Sequence, residues 1–182
     1  MPGKLVEIDP LNFNTDIFKL FARDWLLLTS GDFQAGSYNT MTIAWGSLGL
    51  MWSKPLAMVV LRKQRYTLEF IQKHDSFTLT VFPEQHRQAL TLLGSKSGRD
   101  GDKIKAAGLT PVASQLVASP AFAEAELILE CKKSYSGGML DPNGFVDPQQ
   151  RDTVYPQHDY HHVFFGEVVA IRGLEKYQGC RQ

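Results

Sequence analysis

The sequence predicts a mainly β domain, an antiparallel sheet with a few helices. In residues 125–132, Ala125, Leu127, Leu129 and Cys131 alternate with Glu126, Ile128, Glu130 and Lys132. A strand with one dry and one mostly wet face is the mark of an antiparallel sheet. Phe77, Leu79 and Val81 alternate in the same way with Thr78 and Thr80, as in a half-buried strand. Apolar segments of strand length also stand at 25–30 and 56–61, bounded by Gly31 and by a Lys54-Pro55 turn.

Taken in order, Phe13, Ile17, Phe18, Leu20 and Phe21 form a loosely amphipathic lead-in that packs on the sheet. Trp25 to Ser30 is a strand closed by Gly31, and residues 32–38 are the loop that delivers Asn39. Leu56 to Leu61, an unbroken apolar run, reads as a strand buried on both faces. Leu68, Phe70 and Ile71 continue at helical spacing, and Pro83 suits the first turn of a helix anchored by Leu90 and Leu93. Residues 94–101 are a turn-rich loop before a short helix that ends at Gly108, and residues 109–120 look irregular. Residues 134–155 carry Gly137, Gly138, Pro142, Gly144 and Pro148 with little periodicity, so they read as a long loop. Loops of that length are usually functional or part of an interface. The last strand runs from about His161 to Ile171 with Val163, Phe165, Val169 and Ile171 on one face.

The 182 residues fit one domain, 1–182, able to bury a good core. With 19 Lys plus Arg against 19 Asp plus Glu, nothing argues for nucleic acid or an anionic membrane. No apolar run approaches the ~20 residues that span a bilayer, and Met1-Pro2-Gly3-Lys4 lacks a signal core. Cys131 and Cys180 are too few and too separated for a disulfide framework or a metal knuckle, which fits a reduced cytoplasm. His158, His161 and His162 invite a metal, but neighbouring strand residues point oppositely and no cysteine or carboxylate set completes a site.

The chemistry concentrates in residues 39–67. If 39–46 is strand, Met41, Ile43 and Trp45 face the core, and Thr40, Thr42, Ala44 and Gly46 leave a small face for something flat. The same alternation could also be the taper of a small barrel. Arg62, Lys63, Arg65, Tyr66 and Thr67 then stand where a buried strand opens into a helix. Helix starts offer unpaired N–H groups, and arginines with a hydroxyl would complete a phosphate socket. The plainer alternative is a solvated basic turn capped by Thr67.

These residues resemble the FMN-binding flavin reductase-like domain family, in its flavoredoxin-like branch. The resemblance is carried by Asn39-Thr40-Met41-Thr42 with Trp45, Lys54-Pro55, Arg65-Tyr66-Thr67 with Glu69-Phe70-Ile71, and Phe82-Pro83-Glu84. It continues in Ser97-Gly98-Arg99-Asp100 with Asp102-Lys103, and in Asp159-Tyr160-His161 before Gly166-Glu167-Val168. It implies a split β-barrel of antiparallel Greek-key type and a homodimer with FMN near the subunit interface. The implied reaction takes hydride from NADH or NADPH onto FMN, then passes electrons to free flavin or another acceptor. The alternatives are an electron carrier reduced by a partner protein, and a barrel for another phosphorylated ligand. On the resemblance, Arg62, Arg65 and Thr67 hold phosphate, with Lys103 in support. The backbone from Thr42 through Trp45, Gly46 and Ser47 to Leu48 lines the ring, beside Thr40, Met41 and Tyr66. Asn39 contacts the ligand or orients its loop, and His161 is the catalytic candidate at the ring's exposed edge or a histidine simply bonded at a strand end.

Overall fold

The computed structural model describes residues 3–179, so Cys180 and the first two residues lie outside the description. Among the described residues there are ten strands: β1 Val6–Glu7, β2 Leu26–Asp32, β3 Ser37–Ile43, β4 Gly46–Met51, β5 Lys54–Arg62, β6 Ser76–Val81, β7 Pro111–Val112, β8 Ala121–Phe122, β9 Leu127–Met139 and β10 His161–Gly173. The α-helices are α1 Ile17–Lys19, α2 Thr67–Lys73, α3 Arg87–Ser95, α4 Lys103–Ala107 and α5 Pro148–Val154. Eight strands form one antiparallel sheet in the order β3-β2-β6-β9-β10-β5-β4, with β1 on β10. The two edge strands, β3 and β4, are consecutive in the chain and joined by Ala44 and Trp45 alone. The sheet must therefore curl until its edges meet without pairing, leaving an open seam at that corner. Leu26, Leu28, Leu61, Phe77, Leu79, Leu129 and Phe164 fill its interior, while α3 seals one flank with Leu90 and Leu93 against Leu27, Phe82 and Phe122.

Several strand faces differ from the sequence expectation, each for a visible reason. β5 is not buried on both sides: Ala57, Val59 and Leu61 are buried, whereas Met58, Val60 and Arg62 are half-buried. β6, expected to be half-wet, is buried throughout because the segment around β8 covers its threonine face, where Thr78 Oγ1 donates to the Pro120 carbonyl at 2.6 Å. On β9, Glu130 is buried rather than wet, accepting from the backbone N–H groups of Gln115 and Leu116 and from Arg172. The core face of β10 is Phe164, Gly166, Val168 and Ile171, not Val163, Phe165 and Val169. Register shifts against β9, including one between Val168 and Ala170, restore Ile171 to the core.

The expected long loop at 134–155 is mostly structured. β9 continues to Met139 through bulged pairing, with Gly138 at φ 73° taking a left-handed turn that a side chain resists. α5 then starts at Pro148 under an Asp147 cap that accepts from the N–H groups of Gln149 and Gln150. Phe145 is covered by its own chain, 5.8 Å from the Tyr155 ring centroid, whereas Met139 and Val146 stay exposed.

Gly166 marks a tight point inside the barrel. A Cβ there would lie 2.6 Å from the Phe77 ring and 3.0 Å from Cys131 Cβ, whereas one at Gly49 on β4 meets nothing within 4 Å. Gly166→Ala should cost about 1–3 kcal/mol through overpacking, and Gly49→Ala less than about 0.5 kcal/mol, measured by urea unfolding. Equal losses would contradict the assigned faces.

Candidate functional site

The open corner between β3 and β4 is built by two constraints. β3 stops at Ile43, so residues 39–46 are not one strand. Gly46 then opens β4 so close to β5 that a Cβ would sit 2.5 Å from the Met58 carbonyl oxygen. Trp45, expected in the core, is instead turned out at 50% exposure, its ring centroid 5.1 Å from that of His161. Beneath it runs a cleft of about 260 Å³ lined by Met41, Thr42, Ile43, Ala44, Val60, Arg62 and His161. A narrower recess of about 90 Å³ continues from it, lined by Asn39, Thr67, Ser95, Ser97 and Lys103. Met41 and Arg65 line both, so the two make one elongated site.

The recess is cationic. Arg65 reaches it with Nη1 donating to the Gly94 carbonyl at 2.8 Å, and Lys103 Nζ donates to the carbonyls of Leu93 and Lys96 at 3.0 Å. Burial, and then the neighbouring Arg65 charge, pull the Lys103 pKa down to about 8. Among the described residues neither cation has a carboxylate partner. Thr67 is buried, and its hydroxyl accepts from Asn39 Nδ2 at 2.8 Å, so Asn39 orients the socket wall. The N–H groups of Leu68 and Glu69 are already bonded, to the carbonyls of Arg65 and Tyr66. Two of the helix amides the sequence led us to expect free are therefore committed, and the side chains supply the charge of the recess.

Other residues separate from the expected set. Thr40 is buried on the face of β3 opposite the barrel core, where its hydroxyl donates to the Leu28 carbonyl and accepts from Thr29. Thr42 lines the cleft with its hydroxyl committed to the Leu90 carbonyl at 2.6 Å. Ser47 and Leu48 run away from the cleft along β4, Leu48 packing on the core, and neither lines it. Tyr66 borders the recess under the Arg99 guanidinium, 4.5 Å above its ring, and Arg99 is ion-paired with Glu69.

Arg62 belongs to the other end. It donates to Asp159 Oδ2 at 2.5 Å and to the Val154 carbonyl at 2.9 Å. Gln64 also donates to Asp159, and these bonds, Gln64 first, hold that carboxyl at about 2. The expected phosphate role for Arg62 fails on this pairing: its charge is already matched, and it sits beside His161. That histidine is buried with Nδ1 2.8 Å from Tyr155 Oη. Burial, and then the Arg62 charge, lower its pKa to about 4, so the imidazole is neutral at physiological pH. Tyr155, Ser95 and Ser97 were not foreseen; the serines lie in or beside the turn-rich 94–101 loop, and only that loop's position hinted at them.

A larger concavity, about 580 Å³, lies elsewhere, between Asn14 and Tyr177. Its ionic groups largely neutralise one another, as in the Arg87–Glu84 and Lys176–Glu126 pairs, and we assign the site by its chemistry rather than by size.

A family model described as the flavin reductase like domain matches residues 18–179. The uncharacterized protein YddH of Escherichia coli (strain K12) is 30% identical over 108 residues, covering 59% of this chain and 57% of that relative, under two-thirds of its length. The crystal structure of an FMN-binding domain of a flavin reductases-like enzyme from Shewanella baltica OS155 superposes with a TM-score of 0.68 at 22% identity, covering 95% of this chain and 78% of that one. Flavoredoxin from Methanosarcina acetivorans gives 0.64 at 23% identity over 85% and 70%. These likenesses show the fold, a mostly antiparallel split β-barrel.

The lowered His161 pKa has a consequence for the protein without ligand. The unfolded side chain takes up a proton below about 6.5, whereas the folded one waits until about 4. Stability attached to His161 is thus present above 6.5 and lost as pH falls through that window. Relative to His161→Asn, the wild type should lose up to about 1.4 kcal/mol per pH unit there. Parallel stability–pH curves would rule out a buried neutral histidine.

Proposed function

The chain belongs to the flavin reductase-like domain family, and on that premise we propose that it is an FMN-dependent oxidoreductase using NADH or NADPH. The observation that carries this reading is the carboxylate-free pair Arg65 and Lys103 at one end of a cleft whose other end offers the apolar side chains of Met41, Ile43, Ala44, Trp45 and Val60 beside His161. Two adjacent cations repel, and a phosphate between them removes the repulsion while accepting charge-assisted hydrogen bonds. The donor set fits FMN, with its flat ring and one phosphate. Arg65, Lys103, Thr67, Ser95 and Ser97 would hold the phosphate. Met41, Ile43, Ala44, Val60 and Trp45 would flank the ring, with His161 and Arg62 at its edge. Bound there, FMN would supply hydride and electron transfer between the nicotinamide and a free flavin or other acceptor. The protein's part is to position the ring, exclude water from one face and keep a neutral histidine against it.

A carrier role, with electrons supplied by a protein partner, uses the same site. The half-exposed Trp45 and the exposed Met139, which pairs across from His162, give an apolar rim that such a partner could cover. Steady-state oxidation of NADH or NADPH with added flavin separates the two: turnover supports the enzyme, and its absence with FMN bound supports the carrier.

We also propose a homodimer in the cytoplasm. β4 is an unpaired sheet edge bearing exposed Leu50 and Met51, followed by Trp52, next to an apolar groove of about 390 Å³ lined by Leu11, Phe13, Leu48 and Leu56. Such an edge is normally covered, and an obligate interface buries on the order of 2,000 Å² or more. No helix among the described residues is long and apolar enough to cross a membrane. Sedimentation should show twice the 20.4 kDa chain mass; a monomer that holds FMN tightly would exclude a site shared between subunits.

Arg65→Ala should weaken FMN by roughly ten- to a hundredfold, about 1.5–3 kcal/mol, and leave riboflavin little changed. Equal weakening of both in calorimetric titration would assign Arg65 to the ring or the fold. FMN affinity should also fall as pH rises through about 8, where Lys103 loses its proton in the free protein. Bound phosphate favours the charged lysine, so the proton is taken up on binding, and Lys103→Met should flatten this limb.

A further inference from the structure

Tyr155 does not line the cleft, yet it packs behind two residues that do, His161 and Arg62. Its ring is packed by Tyr160 at 4.9 Å, His161 at 5.5 Å and Phe145 at 5.8 Å between centroids, with the Arg62 guanidinium 5.2 Å away over its face. The same Arg62 donates to the carbonyl of the preceding residue, Val154, so the end of α5 is fixed to β5. Tyr155 Oη has one hydrogen-bond partner among the described residues, His161 Nδ1 at 2.8 Å. Both side chains are buried.

A phenol is a good donor and a weak acceptor, and a neutral imidazole carries one proton on one of its two nitrogens. If the phenol donates, Nδ1 must be the acceptor and the ring proton must be on Nε2. That second nitrogen has no hydrogen-bond partner among the described residues, and His161 lines the cleft beside Trp45. The charged and titratable groups facing the ring are Arg62 from β5, Arg65 before α2, Asp159 before β10 and Tyr155 after α5. The two arginines outweigh the single carboxylate, which favours the neutral ring.

Resting on the flavin reading of this cleft, we propose that Tyr155 is a positioning residue that locks His161 in its Nε2–H tautomer. The cleft is thereby presented with an uncharged N–H donor, suited to a carbonyl or ring-nitrogen acceptor at the edge of a flat heteroaromatic ligand. Tyr155 itself need not touch that ligand. It acts by removing the alternative tautomer, in which Nε2 would be an acceptor and would face such an edge lone pair to lone pair.

Long-range proton–nitrogen correlation spectra of the isotope-labelled, flavin-free protein at neutral pH read the tautomer directly. The expected wild-type pattern is a single Nε2–H form for His161. Tyr155→Phe, which keeps the ring packing and removes only the hydroxyl, should replace it with a mixture of both tautomers. Wild-type protein with the proton on Nδ1, or a Tyr155→Phe protein that keeps the single Nε2–H form, would overturn the proposal. The wild-type spectrum alone decides if the variant fails to fold. Because no flavin is present, a failed FMN titration leaves this result standing, and a wrong tautomer in a protein that binds FMN refutes only the role of Tyr155.

Discussion

β5 meets β10 in an unbroken register that sets Arg62 opposite His161 and Val60 opposite Val163, and the His161 end of the cleft exists only in that register. Side chains alternate along a strand, so a slip of one residue would turn Leu61 outward and carry Arg62 away from Asp159. The irregularities that a curled sheet requires are all displaced to the other side of β10. There, pairing with β9 shifts three times, whereas the β5 ladder shows none. Gly166 permits this, since its missing side chain lets Phe77 approach the strand from within the barrel.

The two ends of the cleft differ in how their charges are satisfied. At the His161 end Arg62 is matched by Asp159, and burial first, then the Arg62 charge, keeps His161 neutral. At the recess Arg65 and Lys103 are held by carbonyls alone, which orient them without neutralising them. A lysine this buried beside an arginine costs stability in the free protein. A bound anion offsets that cost, and so folding energetics and ligand charge are coupled through the same two side chains.

The fold class was legible because 77–81 and 125–132, which read as strands from their alternation in residue type, fall on β6 and β9. What could not be read was which alternating residues meet a second layer. Glu130 and Thr78 look solvated in sequence and are buried because the segment from Gln115 to Pro120 returns over them, a long-range event with no local signal. The β9 extension to Met139 was hidden by bulges, which break the period of two on which strand reading depends. Of the site, Arg65, Thr67, Lys103 and His161 stood out as charged or hydroxyl groups at element boundaries. Arg62 was placed at the wrong end because chain proximity to Arg65 says nothing about Asp159, 97 residues away. Tyr155 was hidden because residues 134–155 show little periodicity and read as a loop, with no local sign that its last residue packs on His161.

The central claim is that the corner between β3 and β4 and the recess before α4 form one flavin site. A crystal structure grown with excess FMN tests it most directly. The phosphate should lie within hydrogen-bond distance of both Arg65 and Lys103, and the ring between Trp45 and the face of β5 that carries Val60. FMN bound in the larger groove beside Tyr177, or phosphate paired with Arg62 instead, would contradict it.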